Sequence, residues 1–335
     1  MKYFLSMDGG GTKTAWMLTT YSGLVAASFE TSGCSHPQIG IAGVCSLVEN
    51  GIRQLMETAG CGKQQIASAA FGIPCYGEDS AADRQISEYL HGLLPQTALL
   101  LRNDVALGFA GSLNLSYGIH IVAGTGAIAY GENLEGKSAR SNGWHTAFSD
   151  EGSAYWLGMK TLSLFAKECD LREDRSCLYD VIRDSLSLYN EEDLISYYDN
   201  YLSGNREAIA KMQIYLSAAA KKGDFRARRL YDTAAYELFI SIKGIYRKLG
   251  FSPEAPVPVP VSYSGGIFRN GDLILDPLKR YLKQLAINLT PPYLPPVQGG
   301  ILLAAQNIDH HELSELALYL KEQIQKEESH VYHSN

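Results

Sequence analysis

The chain has 335 residues, of which 46% are hydrophobic and 19% charged, and its net charge at pH 7 is −7. This composition is typical of a globular protein, and the acidic balance argues against nucleic acid as the partner because phosphate neutralisation needs a basic surface. The length exceeds that of a usual single core, so two domains are expected.

The sequence shows neither a targeting segment nor a cysteine spacing typical of a metal or redox site. The N-terminus enters a strand directly, and no run of about 18 apolar residues is present. We therefore expect a cytoplasmic protein that does not associate with a membrane. The six cysteines form no C-x-x-C pair, so we interpret them as reduced thiols and not as zinc ligands.

The first predicted strand ends in a carboxylate that is followed by glycines. Asp8 precedes Gly9, Gly10 and Gly11, and Thr12 and Lys13 come next. Glycines allow several backbone N–H groups to point at one anion. A carboxylate beside such a turn is suited to Mg²⁺, which keeps much of its water. The turn predicts a nucleotide–metal site, although an ordinary hairpin turn is the alternative.

The first hundred residues alternate strands and helices. Three strands are predicted first, and helices then alternate with strands, which indicates a mixed sheet covered by helices. The predicted strands are 2–7, 14–20, 24–31, 66–73 and 98–102, and the predicted helices are 41–59 and 79–94.

The same pattern returns about 115 residues later. A strand at 118–123 is followed by Gly124, Thr125 and Gly126 and by a strand at 127–132. Two copies of strand, glycine turn and strand suggest a duplicated domain that binds one ligand in a cleft.

The second half is predicted to be mostly helical. Residues 152–250 form a helical insertion, and a strand at 261–264 leads into a third glycine turn and a helix at 271–286. We expect a domain at 1–115 and a second at 116–310. A terminal helix at 311–327 is expected to return to the first domain.

Six segments together are more specific than any one of them. In order they are DGGGTKT (8–14), ND (103–104), AGTGA (123–127), GWHTAFSDEGSAYWLG (143–158), AAAKKGD (218–224) and YSGGIF (263–268). The set resembles the N-acetylglucosamine kinase / BadF-BadG-BcrA-BcrD ATPase family, within the sugar kinase, heat-shock ATPase and actin superfamily. The resemblance implies an α/β fold of duplicated ribonuclease-H-like (actin-like ATPase) domains around a central cleft.

The resemblance also implies site residues for ATP, Mg²⁺ and a sugar. Asp8 would organise Mg²⁺, and Asp104 would be the catalytic base facing the sugar hydroxyl. The implied ATP-binding residues are Gly9, Gly10, Gly11, Thr12, Lys13, Gly124, Thr125, Gly126, Ala220, Gly265 and Gly266. The implied substrate-binding residues are Ser35, His36, Asp104, Gly143, Trp144, His145 and Asp150.

Several of these residues have simpler interpretations. Asn103-Asp104 before an apolar helix is also an N-cap pattern, and Asp150 is also typical of a helix start. A lone tryptophan such as Trp144 is usually part of a core. A lone histidine such as His145 is as often a loop residue satisfied by the backbone.

The sugar loops depart from the family pattern at three positions. Ser35 stands where human-type members of the family have Asn, Ala127 where a small polar residue is usual, and His145 where glycine is usual. The expected reaction is phosphorylation of an amino-hexose at its 6-hydroxyl. Weaker binding of N-acetylglucosamine is expected, with glucosamine or a larger N-acetylated sugar preferred over it, because a site with fewer polar partners discriminates less.

Two other functions stay open from the sequence. The first is the ATPase activator of a radical dehydratase or reductase, which holds a [4Fe–4S] cluster on cysteines. The cysteine typical of that branch falls at Ile121 here. The second is a non-catalytic sugar or nucleotide sensor on the kinase scaffold. Whether the chain forms a homodimer is also open.

Overall fold

The structure is a computed structural model, which describes residues 1–254 and 256–333. The chain divides into two compact units. Unit 1 contains residues 1–116 and the chain from Pro291 on, and unit 2 contains residues 117–290. Among the described residues, no helix is both long enough and apolar enough to span a bilayer.

The elements are numbered in chain order. The strands are β1 (Tyr3–Gly9), β2 (Lys13–Thr20), β3 (Val25–Ser32), β4 (Ile66–Gly72), β5 (Ala98–Arg102), β6 (Gly118–Ala123), β7 (Ala127–Glu132), β8 (Ser138–Asn142), β9 (Val259–Ser264) and β10 (Ile287–Thr290). The helices are α1 (His36–Ala59), α2 (Ser80–Leu93), α3 (Asp104–Ser112), α4 (Ala154–Cys169), α5 (Cys177–Leu186), α6 (Asp193–Tyr197), α7 (Arg206–Lys211), α8 (Gln213–Lys221), α9 (Phe225–Lys248), α10 (Asp272–Leu282), α11 (Pro296–Ala305) and α12 (His310–His333).

The two units have the same sheet topology. The strand order is β3-β2-β1-β4-β5 in unit 1 and β10-β9-β6-β7-β8 in unit 2. In each sheet the first three strands of the unit are antiparallel, and the remaining two run parallel to the first. The duplicated α/β fold expected from the repeated glycine turns is confirmed.

Unit 1 buries both faces of its sheet because alternate residues of β1 point to opposite faces. Leu5 and Met7 pack in one cluster with α1 and α2. Phe4 packs in another, with Ile301 and Leu302 of α11 and residues of α12. Each face therefore has its own apolar layer.

The predicted domain boundary at residue 310 differs from the structure. Residues 291–310 were expected in the second domain, whereas they belong to unit 1. A Cβ atom built on Gly299 would meet the Leu107 carbonyl, and one on Gly300 would meet Ser6. These glycines let α11 lie against α3 and β1, which fixes it in unit 1.

Unit 2 has one large core on its sheet. Ile119 and Ile121 of β6 pack there with residues of α9 such as Leu238 and Ile242. Helices α4 to α9 all lie between β8 and β9 along the chain, so this unit carries the predicted helical insertion. Strands β8 and β10 and helix α11 were not predicted, because five- and four-residue strands and an all-round apolar helix give little periodic signal.

Candidate active site

The first glycine turn joins β1 to β2 in unit 1. A Cβ on Gly9 would meet the Cys34 thiol and would lie 2.7 Å from the Gly72 carbonyl, while one on Gly10 would lie 2.8 Å from the Lys13 carbonyl. Gly9, Gly10 and Gly11 do not have positive φ angles. Glycine is therefore required at 9 and 10 by the close approach of backbone and thiol.

Sheet register brings Asp8 close to Asp104. Asp8 pairs with Gly72 across β1 and β4, and Gly72 pairs with Arg102 across β4 and β5. A Cβ on Gly72 would lie 3.1 Å from the Asp104 Cα. Because these strands are parallel, their carboxyl ends meet at one edge of the sheet and carry both aspartates.

Asp8 and Asp104 are acidic and close together, so a negative charge on one disfavours ionisation of the other. Both side chains are half-buried. Burial, together with the nearby charge of Asp104, raises the pKa of Asp8 to about 8, although Lys13 acts in the lowering direction. Burial likewise raises the pKa of Asp104 to about 6, against the lowering effect of backbone N–H groups. The protein's own groups leave this pair short of positive charge.

This arrangement fits Mg²⁺ with its own water and phosphate ligands. Among the described residues, no group of three or more acidic, histidine or cysteine side chains is placed to hold a metal ion by itself. Mg²⁺ usually binds through one or two carboxylates plus substrate phosphates and water. Asp8 supplies such a carboxylate, and a divalent cation would favour its ionised form.

Asp104 is not the capping residue of α3. The N-cap is Asn103, whose Oδ1 accepts from the Val105 N–H at 3.3 Å. Asp104 is the first helical residue, and its Oδ1 also accepts from the Val105 N–H, at 3.0 Å. The capping requirement is therefore met by Asn103, which leaves the second carboxylate oxygen of Asp104 for another role.

The other residues expected around the sugar in unit 1 lie at the start of α1. Ser35 is buried, and a hydrogen bond from it lowers the pKa of the Cys75 thiol, although burial raises that pKa to about 11 overall. His36 has a buried Nδ1 without a hydrogen-bond partner in the structure. Cys75 has a φ of +65°, a strained conformation for a non-glycine residue and one that recurs at ligand sites. Lys13, expected at the phosphates, pairs with Glu30 at 2.5 Å.

The second glycine turn joins β6 to β7 in unit 2. The Gly124 N–H donates to the Gly126 carbonyl, while the Ala154 N–H at the start of α4 donates to the Gly124 carbonyl, each at 2.9 Å. A Cβ on Gly265 would meet the Ala123 carbonyl and would lie 2.8 Å from the Gly124 nitrogen. The third glycine turn, Gly265-Gly266, thus packs directly on the second.

Asp150 lies against this turn and is held by three groups. Its Oδ1 accepts from the Ala127 N–H at 3.2 Å, its Oδ2 forms an ion pair with Arg206, and its own N–H donates to Asn142 Oδ1 at 2.9 Å. Asp150 has a φ of +66°. A Cβ on Gly126 would lie 2.6 Å from Arg206 Nη2, so the guanidinium sits beside the turn.

Asn142 organises the loop that carries Trp144 and His145. Its Oδ1 also accepts from the Gly143 N–H at 2.8 Å and from the Ser149 hydroxyl at 2.6 Å. Trp144 is 66% exposed, with the Arg140 guanidinium 4.8 Å from its ring. Trp144 is therefore not a core residue. His145 Nδ1 accepts from the Ala147 N–H at 3.1 Å, as expected for a loop histidine satisfied by backbone.

Of the adenosine residues expected in unit 2, Ala220 lies near an open cleft, whereas Gly265 and Gly266 are not among the residues that line it. Ala220 is fully buried, and its carbonyl accepts from Arg228 Nε at 2.9 Å. A cleft of about 510 Å³ opens next to it, in the size range of small-molecule sites. Its lining includes Lys221, Arg228, Asp232, Asn270, Asp272 and Leu273.

A buried histidine joins the strands that lead into both glycine turns of unit 2. His120 Nε2 lies 2.9 Å from the Ser264 hydroxyl, one residue before Gly265. Burial lowers the pKa of His120 to about 3, so the ring is neutral at neutral pH and pairs with Ser264 without a charge. It links β6 to β9 beside the turns.

Sequence reasoning did not identify four residues of these sites. Cys75 and Glu78 interact electrostatically with Asp104 in unit 1: the Asp104 charge acts to raise the pKa of Cys75, and Glu78 acts to raise the pKa of Asp104. Asn142 and Arg206 support Asp150 in unit 2. The Asn-Gly dipeptide at 142–143 is a turn signal and offered a clue to Asn142. Arg206 is 56 residues from its partner, and no local pattern marks it.

Comparisons with known proteins agree with the fold. The model of the BadF/BadG/BcrA/BcrD ATPase family matches residues 5–304. The N-acetylmuramic acid/N-acetylglucosamine kinase of Clostridium acetobutylicum is 31% identical over 290 residues, which cover 84% of this chain and 90% of that protein. The N-acetyl-D-glucosamine kinase of Dictyostelium discoideum is 27% identical over 312 residues, covering 90% and 97% respectively.

Solved structures support the same architecture. A Chromobacterium violaceum protein proposed to be an N-acetylglucosamine kinase superposes with a TM-score of 0.71. It is 23% identical, and the match covers 91% of this chain and 99% of that one. At that identity the likeness establishes the fold alone.

Proposed function

This chain belongs to the BadF/BadG/BcrA/BcrD ATPase family, and from that membership we propose that it is an ATP-dependent kinase of amino-hexoses. The relatives named above as kinases of N-acetylglucosamine and N-acetylmuramic acid support this acceptor class. We further propose the 6-hydroxyl as the phosphorylated group, Mg²⁺ as the metal and the cytoplasm as the location.

The observation that carries the proposal is the position and environment of Asp104. Its neighbour Asn103 caps α3, its pKa is raised to about 6, and it lies at the sheet edge that also carries Asp8. A base works best when its pKa lies near the operating pH.

The chemistry assigned to unit 1 is proton transfer and metal binding. The oxygen of the acceptor hydroxyl attacks the γ-phosphorus, the bond to the β–γ bridging oxygen breaks, and ADP leaves. Asp104 orients the hydroxyl and accepts its proton late, because phosphoryl transfer has a loose transition state. Mg²⁺ bound at Asp8 would neutralise negative charge on the phosphates.

The task assigned to unit 2 is binding of the nucleotide and the sugar. The backbone N–H groups of Thr125 and Gly126 would meet phosphate oxygens, and the cleft lined by Asn270 and Arg228 would take the nucleoside. Asp150 would accept hydrogen bonds from sugar hydroxyls. Trp144 offers an exposed ring face to the sugar.

A coupled ADP-release assay tests the proposal. The acceptors are N-acetylglucosamine, glucosamine, N-acetylmuramic acid and glucose, each with ATP and Mg²⁺, with a no-sugar control. We expect at least one amino sugar to stimulate ADP release about 100-fold or more over the control, and removal of Mg²⁺ by EDTA to abolish it. Proton–phosphorus correlation spectroscopy should place the phosphate on O6. If none of the sugars stimulates ADP release, the kinase assignment is wrong.

A further inference from the structure

A histidine–serine pair lies at the end of β9, beside the glycine turns of unit 2. His120 Nε2 lies 2.9 Å from the Ser264 hydroxyl oxygen, and His120 is fully buried. The other ring nitrogen, Nδ1, is also buried and has no hydrogen-bond partner among the described residues. Ser264 is half-buried and is the last residue of β9. The pair is therefore closed on the histidine side and accessible on the serine side.

The direction of this hydrogen bond follows from the unpaired nitrogen. A neutral imidazole has one N–H donor and one acceptor nitrogen. Burial keeps the ring neutral, since it lowers the pKa of His120 to about 3. Buried N–H groups without an acceptor are rarer in proteins than unpaired acceptors, so the hydrogen belongs on Nε2, which has a partner. His120 then donates to the Ser264 oxygen, and Ser264 keeps its own O–H hydrogen for another acceptor.

The Ser264 hydrogen has no acceptor within the part of the chain that the structure describes. The bond with His120 is the only one that the Ser264 hydroxyl forms there. Space for an acceptor from outside the chain is present, because a Cβ atom built on Gly124 or on Gly266 would meet nothing within 4 Å. The Ser264 O–H is thus an unused donor beside two glycine turns that are both open.

The neighbouring groups are suited to an anionic oxygen. A Cβ on Gly265 would lie 2.8 Å from the Gly124 nitrogen, so Ser264 is joined to the turn that carries the Thr125 and Gly126 N–H groups. Uncharged backbone donors of this kind surround bound anions in glycine-rich turns. A hydroxyl oxygen that already accepts a hydrogen bond is polarised, which makes its own O–H a stronger donor.

We infer that the Ser264 hydroxyl donates a hydrogen bond to an oxygen of the diphosphate that ATP and ADP share, and that His120 is the positioning residue that turns the hydroxyl towards it. Ser264 precedes the turn expected at the nucleoside and adjoins the turn assigned to the phosphates, which places it between the two. The inference rests on the proposed use of ATP and deepens it. His120 acts only through Ser264, and the chemistry at Asp104 is unchanged.

The test is calorimetric titration without sugar, with MgATP, MgADP and adenosine as the three ligands. The variants are Ser264→Ala, His120→Phe, which keeps a ring but has no N–H, and His120→Gln, whose amide supplies an N–H at a similar reach. The matched control is Ser262→Ala. Ser262 lies two residues earlier on β9, pairs with His120 in register and has a buried hydroxyl without a hydrogen-bond partner among the described residues.

We expect Ser264→Ala to weaken the binding of MgATP and of MgADP about 10- to 100-fold, because one hydrogen bond to a charged group is lost. The affinity for adenosine should stay unchanged. His120→Phe should weaken both nucleotides by a smaller factor, and His120→Gln should restore most of that loss. The double variant should bind no more weakly than Ser264→Ala, since His120 acts through the same hydroxyl. Ser262→Ala should bind as wild type does.

Other outcomes overturn the inference. Equal weakening of adenosine and of the nucleotides in Ser264→Ala would assign Ser264 to the nucleoside or to the fold. Unchanged MgATP affinity in Ser264→Ala would refute the phosphate contact while the kinase function stands. A double variant in which the two losses multiply would show that His120 does not act through Ser264. If no sugar stimulates ADP release but Ser264→Ala weakens the nucleotides selectively, the kinase function fails and the inference stands.

Discussion

The two units share one strand order but balance charge differently at their sites. In unit 1, Asp8 and Asp104 lie at one sheet edge, and their pKa values are raised to about 8 and about 6. In unit 2, the buried Asp150 is neutralised by Arg206 and accepts a hydrogen bond from a backbone N–H. The first site is short of positive charge, whereas the second supplies its own.

Under the proposed function, this difference lets one scaffold serve two tasks. A pair of uncompensated carboxylates costs folding free energy, which a bound cation or an incoming proton relieves. A compensated carboxylate costs little and stays in a fixed geometry for recognition. The duplicated fold thus places reactive charge in unit 1 and rigid hydrogen-bonding groups in unit 2.

The largest expected effect comes from removing the reactive charge of unit 1. Asp104→Asn keeps the size and polarity of the side chain but cannot accept the proton of the acceptor hydroxyl. We expect kcat to fall about 100-fold or more, with ATP affinity by calorimetry nearly unchanged.

The control for this substitution is the adjacent cap. Asn103→Ala should lower the free energy of unfolding by about 1 kcal/mol, as loss of an N-cap does, and retain most of kcat. An Asp104→Asn enzyme with most of its turnover would assign Asp104 a structural role, and the contrast between the two units would disappear.

The next effect concerns the stability of the ligand-free protein. The pKa of Asp8 is higher in the folded chain than its ordinary value of 3.8, so the folded state binds this proton more tightly than the unfolded state. The resulting stabilisation is complete below about pH 4 and is lost as the pH rises towards 8. Between about pH 5 and pH 7 the loss is up to about 1.4 kcal/mol per pH unit.

Asp8→Asn should remove this dependence. Urea unfolding at pH 5, 6 and 7 should show the variant gaining stability relative to wild type at each step. His120 acts in the opposite direction, because its folded pKa of about 3 favours unfolding as the pH falls below about 6.5. His120 is present in both proteins, so its contribution cancels in the difference between their free energies of unfolding. If the difference in free energy of unfolding between Asp8→Asn and wild type did not change with pH, the charge of Asp8 would not be uncompensated in the folded protein. The variant should also lose Mg²⁺-dependent nucleotide binding.

The smallest expected effect concerns the hydrogen bonds that Asn142 forms with its neighbours in unit 2. Asn142 Oδ1 accepts from Gly143, Ser149 and Asp150, and Asn142 has a φ of +65°. Asn142→Gly tolerates that backbone angle and removes the side-chain hydrogen bonds.

We expect Asn142→Gly to lower the free energy of unfolding by about 1 to 3 kcal/mol, because buried donors lose their acceptor. The KM for the sugar should rise while kcat changes little, since Asp150 is loosened but Asp104 is untouched. Urea unfolding and steady-state kinetics provide the two measurements. A drop in kcat with an unchanged KM would show that the network serves the reaction and not recognition.

Much of the architecture could be predicted from local sequence. The three glycine turns and their flanking strands mark the duplicated fold, because turns and strands are encoded within a few neighbouring residues. Asp8 at a strand end was recognised for the same reason. The short strands β8 and β10 were not predicted, since four or five residues show too little alternation.

Pairing between distant residues was decided by the tertiary structure. The place of α11 in unit 1 depends on glycines that fit against α3 and β1, which no periodicity of α11 itself reveals. The raised pKa values of Asp8 and Asp104 arise from strand register and burial. Arg206 meets Asp150 only because the helical insertion returns to the glycine turn. The sequence by itself determined the glycine turns, most of the strands and the family, because each of these depends on residues that are close neighbours in the chain. The charge balance of each site depends on which side chains packing brings together, and only the folded chain decides that.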